Sequence, residues 1–424
     1  MKIYLNPPRE DWEALSARAT AGNAEIEDRV RGILERVRRE GDEALKDLAQ
    51  EIDGVDLSSG LEVTPEEFAE AEAAVSPEVK KAVEEAYANI HKFHSAQMPA
   101  EIRVETAPGV VCTQRPVPIA KVGLYIPGGT APLFSTVLML AVPALIAGCR
   151  ERVLCSPCGK DGRIAPEVLY AARRCGIRKV FKAGGAQAVG AMAFGTESVP
   201  RVDKIFGPGN RYVMTAKQIV SGECTAIDMP AGPSEVMVIA SSDTNPVYAA
   251  ADLLSQAEHG RDSQVILVCP SAEIAERVVE EVGRQAAQLS RGAFIASSLE
   301  NSRAIVFDNQ EDIVDFANCY APEHLIISTL DCDAVADRIY AAGSVFLGAW
   351  TPESAGDYAS GTNHTLPTSG WARSFSGVNI DSFMRKMTLQ KISREGLQGL
   401  SQTIVTMAEA EGLEAHANAV KVRL

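Results

Sequence analysis

Four times between residues 119 and 221 the chain runs from a short β-branched segment through a turn into a helical pattern. KVGLYIPGG leads into a helix predicted over 133–147, RVLCSP into one over 165–175, KVFKAGG into one over 186–193, and KIFGPG into one over 210–221. Strand, turn and helix repeated in that order close as βαβ units on a parallel sheet, because parallel neighbours need a long crossover and the helices supply it. A second series starts at SEVMVIAS and continues through a helix over 245–259, SQVILVCPS, a helix over 272–288, and the runs AFIAS, IVFDN, HLIIST and SVFLG with helical links. Two α/β sheets of similar size are expected.

The flanks differ in texture. Glu10–Gln50 and Thr64–Gln97 read as charged helices, the second opened by Thr64 with Glu67 in capping-box spacing. No charge occurs between Lys121 and Arg150, but Pro127, Gly128, Gly129 and Pro132 leave only LFSTVLMLAVPALIAG, which carries Pro143 and is too short to span a bilayer. A buried helix is the reading that fits. Trp350–Val378 is rich in Gly, Ser, Thr and Asn, and a loop that long in a compact protein is usually functional. Ser393–Met407 puts Leu397, Leu400, Ile404 and Met407 on one helical face that must dock elsewhere, since so small a piece cannot bury it alone.

Composition narrows the function. The net charge of -15 over 424 residues, with no basic run, argues against nucleic acid or an anionic membrane as the main partner. Nine cysteines, an odd number, and no apolar leader after Met1 suggest a reduced, cytoplasmic protein with a small-molecule partner.

Six histidines carry most of the chemical information. His91 and His94, at i and i+3, read as a solvated or capping pair. In DLLSQAEHG, Gln256 and His259 share a helix face at its end, as metal ligands or as a cation beside the helix dipole. In NCYAPEHL, Pro322 places Glu323 and His324 on a turn, where an acid and a base can reach one pocket, though an exposed dipeptide has the same letters. Cys319 in that segment invites a thiohemiacetal, against the commoner inert thiol. Asp357 and His364 share the glycine-rich loop, and Glu411 and His416 flank Gly412. The turns at 127–129, 182–190 and 206–210 could hold phosphate at helix N-termini, but none is a standard dinucleotide fingerprint. The CSPC at 155–158 lacks a partner pair.

Together, DMPAGPSEVMVIA, DLLSQAEHG, NCYAPEHL, GDYASGTNHTLPT and AEGLEAHANAVKVR resemble the signature segments of the L-histidinol dehydrogenase family, in order and over nearly the whole chain. The resemblance implies a zinc-containing, NAD-dependent oxidoreductase of the last steps of histidine biosynthesis, taking histidinol through histidinaldehyde to histidine. It implies Gln256, His259, Asp357 and His416 as ligands of one zinc per subunit, and Glu323 and His324 as the catalytic pair. Substrate contacts would come from Ser234, Gln256, His259, His324, Asp357, Glu411 and His416, and NAD contacts from Tyr125, Gln187 and Asn210. It further implies an α/β fold of two Rossmann-like parallel-sheet domains with small helical N- and C-terminal pieces, assembled as a swapped homodimer with shared active sites. The expected division is a helical piece over 1–20, a discontinuous first domain over 21–125 and 236–378 with the zinc and catalytic residues, a second domain over 126–235 with the NAD contacts, and a helical piece over 379–424 reaching the partner subunit. A related zinc alcohol dehydrogenase on the same scaffold, such as one for sulfopropanediol, is the alternative activity. Glu411 and the NHTLPT context favour histidinol.

Overall fold

The runs EVMVIA and QVILVC are buried at every position, as strands covered on both faces must be. In the computed structural model, which describes residues 1–18, 23–128 and 132–424, they are Glu235–Ala240 and Gln264–Cys269 at the middle of a six-stranded parallel sheet. Its spatial order is Lys2–Leu5, Arg303–Val306, Gln264–Cys269, Glu235–Ala240, His324–Ser328 and Ser344–Leu347. A five-stranded parallel sheet follows the order Lys179–Lys182, Glu151–Ser156, Lys121–Tyr125, Lys204–Phe206 and Ala226–Ile227. The two parallel sheets read from the sequence are therefore present.

The uncharged stretch after Tyr125 becomes the helix Phe134–Ala147, apolar on every side and packed between the helices Pro77–Ser95 and Pro166–Arg174. Thr64 and Glu67 form the capping box that opens the helix Pro65–Ala74. The helix Asn23–Leu48 covers Gly185–Phe194 and Arg211–Glu223, and Pro65–Ala74 packs on Pro166–Arg174. These contacts join the N-terminal helices to the five-stranded sheet, whereas the sequence reading grouped 21–125 with 236–378. An amphipathic face declares that it is covered but not which sheet covers it. The cut expected at 125/126 falls directly after the strand Lys121–Tyr125, and the one at 20/21 lies outside the described residues, as does Gly129 of the first glycine turn.

Three other expectations change. The N-terminal piece is not purely helical, because Lys2–Leu5 pairs in parallel with Arg303–Val306 as an edge strand. The AFIAS run lies in the helix Gly292–Glu300, with Ile295 and Ser298 turned inward at helical spacing. A short apolar run has no period long enough to separate strand from helix. The C-terminal piece opens with the nine-residue strand Met384–Ile392, which pairs antiparallel with Val110–Pro118, itself paired with Ile102–Ala107. Beyond it the helices Arg394–Ala410 and Glu414–Lys421 pack on each other, and Met407 of the apolar stripe remains 60% exposed. No helix among the described residues is long and apolar enough to cross a membrane.

One turn ties the five-stranded sheet to its cavity. Gly207 sits at φ 131°, and a side chain there would collide with the Tyr125 carbonyl of the adjacent strand. The buried Lys217–Asp228 pair, 2.5 Å apart, holds the same turn: Lys217 donates to the Gly207 carbonyl, and the Gly207 N–H donates to Asp228.

Candidate active site and metal centre

The helix Gln310–Tyr320 ends at Ala321, a non-glycine residue at φ 51°, and Pro322 then stops helical continuation. Glu323 lies on the resulting turn and His324 opens the strand His324–Ser328, paired with Glu235–Ala240. The Glu235 N–H donates to Glu323 Oε2 at 2.8 Å, and the Glu235 carbonyl lies 3.1 Å from His324 Nδ1. His324 Nδ1 is 3.6 Å from Glu323 Oε2. The turn thus brings two sequence neighbours into one buried pocket.

Two more segments complete the pocket. Gln256 is in the last turn of the helix Pro246–Ala257, with His259 just past its end. The short helix Glu353–Tyr358 presents Glu353 and Asp357 one turn apart. Gln256 Nε2 donates to Glu353 Oε1 and lies 3.1 Å from His324 Nδ1, while Asp357 Oδ1 is 3.6 Å from His324 Nε2. Ligand atoms of His259, Glu353 and Asp357 all lie within 4.8 Å of one another. Gln256 Oε1, His324 Nε2 and Asp357 Oδ1 are buried without a hydrogen-bond partner. Unpaired buried polar atoms are costly, so oxygen donors and an imidazole converging here fit a divalent cation.

Charge follows from burial and crowding. Dehydration pushes Glu323 up to about 8, partly opposed by His324. Burial disfavours the His324 imidazolium, but the carboxylates of Glu353, Glu323 and Asp357 outweigh it and push the ring up to about 10. Burial also raises Glu353 well above the usual carboxylate range, whereas His324 overcomes burial at Asp357 and holds that acid low. Burial lowers both His259 and His364.

The five-stranded sheet offers a cavity of about 1000 Å³ at the carboxyl ends of its strands, lined by Tyr125, Gln187 and Asn210 among others. Ligands of open α/β sheets bind at this end. The Tyr125 hydroxyl accepts from the Gly185 N–H at 3.1 Å, and burial pushes its pKa up to about 12. Asn210 caps the helix Arg211–Glu223 by accepting from Tyr212 and Val213 N–H. His324 and Glu235, by contrast, stand at the amino ends of their strands, and the helix Phe134–Ala147 contacts Asn363 and His364, a short way beyond Asp357. His364 Nδ1 lies 2.9 Å from the Asp357 carbonyl and Nε2 3.2 Å from Thr136 Oγ1, and Asn363 Nδ2 donates to the Met139 carbonyl.

Not every expected residue reaches the cluster. Glu411, at the turn after the helix Arg394–Ala410, and His416, on the helix Glu414–Lys421, are both exposed, and His416 is not among the grouped ligands. Ser234 precedes Glu235, and its carbonyl accepts from the Gln264 N–H. Cys319 Sγ lies 3.8 Å from Ser16 Oγ, and burial pushes Cys155 up to about 12, an inert thiol. His94 is fully buried, its Nδ1 2.8 Å from the Ile90 carbonyl, which corrects the solvated reading for that residue, while His91 is half-buried. Glu353 was missed. Its i, i+4 spacing from Asp357 after Pro352 was the available signal, obscured by the glycine-rich surroundings. Glu235 acts through its backbone, which no side-chain pattern reveals.

Comparison with known proteins bears on the whole chain. The family model described as histidinol dehydrogenase matches residues 16–424. The chain is 55% identical to a histidinol dehydrogenase of Bacteroides thetaiotaomicron, covering 100% of this chain and 99% of that one. A histidinol dehydrogenase of Vibrio vulnificus is 54% identical over 96% of this chain and 94% of its own. The crystal structure of histidinol dehydrogenase from Elizabethkingia anophelis superposes with a TM-score of 0.96 at 48% identity, covering 100% of this chain and 98% of that one. The electrostatics of the cluster generate a direct expectation. In metal-free protein the His324 ring keeps its proton to higher pH than His259 and His364 do, and a divalent cation bound at the cluster would lower that pKa. A ¹⁵N NMR titration checks both; a His324 that titrates below the other two contradicts the carboxylate ring as its cause.

Proposed function

The chain belongs to the histidinol dehydrogenase family, and from that premise we propose that it oxidises L-histidinol through L-histidinaldehyde to L-histidine, using one zinc per subunit and NAD. The observation that carries this reading is a buried cluster in which Gln256 Oε1 and Asp357 Oδ1 have no hydrogen-bond partner, with ligand atoms of His259 and Asp357 within 4.8 Å and Glu323 and His324 beside them. Gln256, His259 and Asp357 would hold the metal, with His416 of a second copy as the remaining ligand, and Tyr125, Gln187 and Asn210 would contact the dinucleotide. When bound, zinc supplies an electrophilic anchor for the substrate's electron-pair donors, and NAD the two-electron acceptor used in each oxidation.

The chain's own residues then divide the proton chemistry. His324 takes the proton of the carbinol hydroxyl as the alcohol becomes the aldehyde. Glu323 accepts a proton from the water that adds to the aldehyde carbon while His324 returns its proton to the aldehyde oxygen, giving the hydrate, and His324, free again, takes a hydroxyl proton as the hydrate becomes the carboxylic acid. The carboxylates around His324 hold its proton too tightly for a base at neutral pH. Positive charge among those carboxylates relieves this, which is a physical reason for a cation at this spot. Glu411 and His416 lie in the C-terminal piece whose apolar stripe is still open, which suits a segment that completes the site of a second copy. A zinc alcohol dehydrogenase acting on another substrate would keep the same cluster. Comparing NADH formation from histidinol and from sulfopropanediol separates the two activities.

Glu323→Gln should slow aldehyde oxidation by roughly 10²–10⁴-fold while affecting alcohol oxidation much less. Following NADH from histidinol and from histidinaldehyde separately checks this, and equal losses contradict the water-activating role. Mixing inactive His324→Ala and His416→Ala subunits should restore roughly a quarter of wild-type activity, since a mixed dimer carries one intact shared site. No recovery in verified mixed dimers would place each site within one chain.

A further inference from the structure

We propose that Glu353 is a positioning residue that fixes the side-chain amide of Gln256 with its oxygen turned toward the metal. The inference rests on the zinc reading above and goes beyond it. A primary amide is nearly symmetrical in shape, so packing alone hardly distinguishes its oxygen from its nitrogen. Turned one way it offers a cation a lone pair, and turned the other way it offers N–H groups that repel it. Gln256 is 1% exposed at the end of its helix, so water cannot decide the matter.

Glu353, also 1% exposed, decides it. Its Oε1 accepts from Gln256 Nε2 and its Oε2 accepts from Ser255 Oγ at 3.2 Å. With Oε1 as the acceptor, in the ionised acid or in the neutral acid protonated on Oε2, the amide presents its N–H face, which leaves Gln256 Oε1 as the buried atom without a hydrogen-bond partner. Glu353 lies close enough to His259 and Asp357 to be considered a ligand itself. Its Oε1 faces Gln256 Nε2 and its Oε2 faces Ser255 Oγ, both on the helix Pro246–Ala257, and holding Gln256 is the role this geometry assigns it. The rigid pair of helix ends, one carrying Gln256 and the other Glu353 and Asp357, is then set before any metal arrives.

The test is a double-mutant cycle on zinc affinity, read by competition with a chromophoric chelator on full-length protein stripped of metal, with thermal melting alongside. Glu353→Gln should weaken zinc about 10–100-fold, because Gln at 353 offers N–H as readily as C=O and no longer dictates the amide. In a Gln256→Glu background both atoms at the tip of residue 256 are oxygens and nothing needs orienting. There the same Glu353→Gln change should cost less than about 3-fold, the non-additivity expected of coupled residues. Equal losses in both backgrounds would make Glu353 a ligand and overturn the inference. A lowered melting temperature with unchanged zinc affinity would make it merely structural and overturn it also. If wild type binds zinc no more tightly than His259→Ala, the zinc reading itself fails. The unaltered chain gives a second check, since the Gln256 side-chain N–H signals should keep their hydrogen-bonded shifts when zinc is added. A large change on zinc addition would mean that the metal, and not Glu353, sets the amide.

Discussion

Burial of like charge around one imidazole is the constraint on which the site depends. Glu323, Glu353 and Asp357 each reach toward His324 in a pocket largely closed to water. Carboxylates removed from water without full compensation cost several kcal/mol each. The fold offsets part of this with donors: the Glu235 N–H for Glu323, and Ser255 and Gln256 for Glu353. Gln256 Oε1 and Asp357 Oδ1 are left over. The polypeptide alone does not complete the cluster, and what would complete it is positive charge with room for oxygen and nitrogen donors.

The two sheets present opposite ends to their sites. The five-stranded sheet turns its carboxyl edge to the large cavity, with Gly207 packed against the Tyr125 carbonyl so that adjacent strand ends stay close. The six-stranded sheet contributes the amino ends of Glu235–Ala240 and His324–Ser328, where paired backbone groups hold the catalytic candidates. His364 connects them, reaching Thr136 with one ring nitrogen and the Asp357 carbonyl with the other.

Much of this was legible in the sequence because the signals are local. Short β-branched runs ending in turn residues marked the parallel strands, and Pro322 marked the turn that brings Glu323 and His324 together. What was not legible depends on distant pairing. Ile102–Ala107 and Met384–Ile392 are almost wholly exposed and Val110–Pro118 is only half-buried, all are mixed in polarity, and Met384–Ile392 joins from the far end of the chain, so no periodic run announced them. The N-terminal helices showed an apolar face without showing its destination. Glu353 lay in a segment read as loop. Glu411 and His416 were named from the resemblance, and they stand exposed in the C-terminal piece of the single chain.

The central claim is that Gln256, His259 and Asp357 bind zinc beside Glu323 and His324. Crystallography of the zinc-loaded protein at the zinc absorption edge tests it most directly. The account predicts one anomalous peak per subunit, with Gln256 Oε1, His259 and Asp357 at roughly 2.0–2.2 Å and Glu353 bonded to Gln256 instead of the metal. A peak elsewhere, or none at this cluster in protein that turns over histidinol, would contradict it.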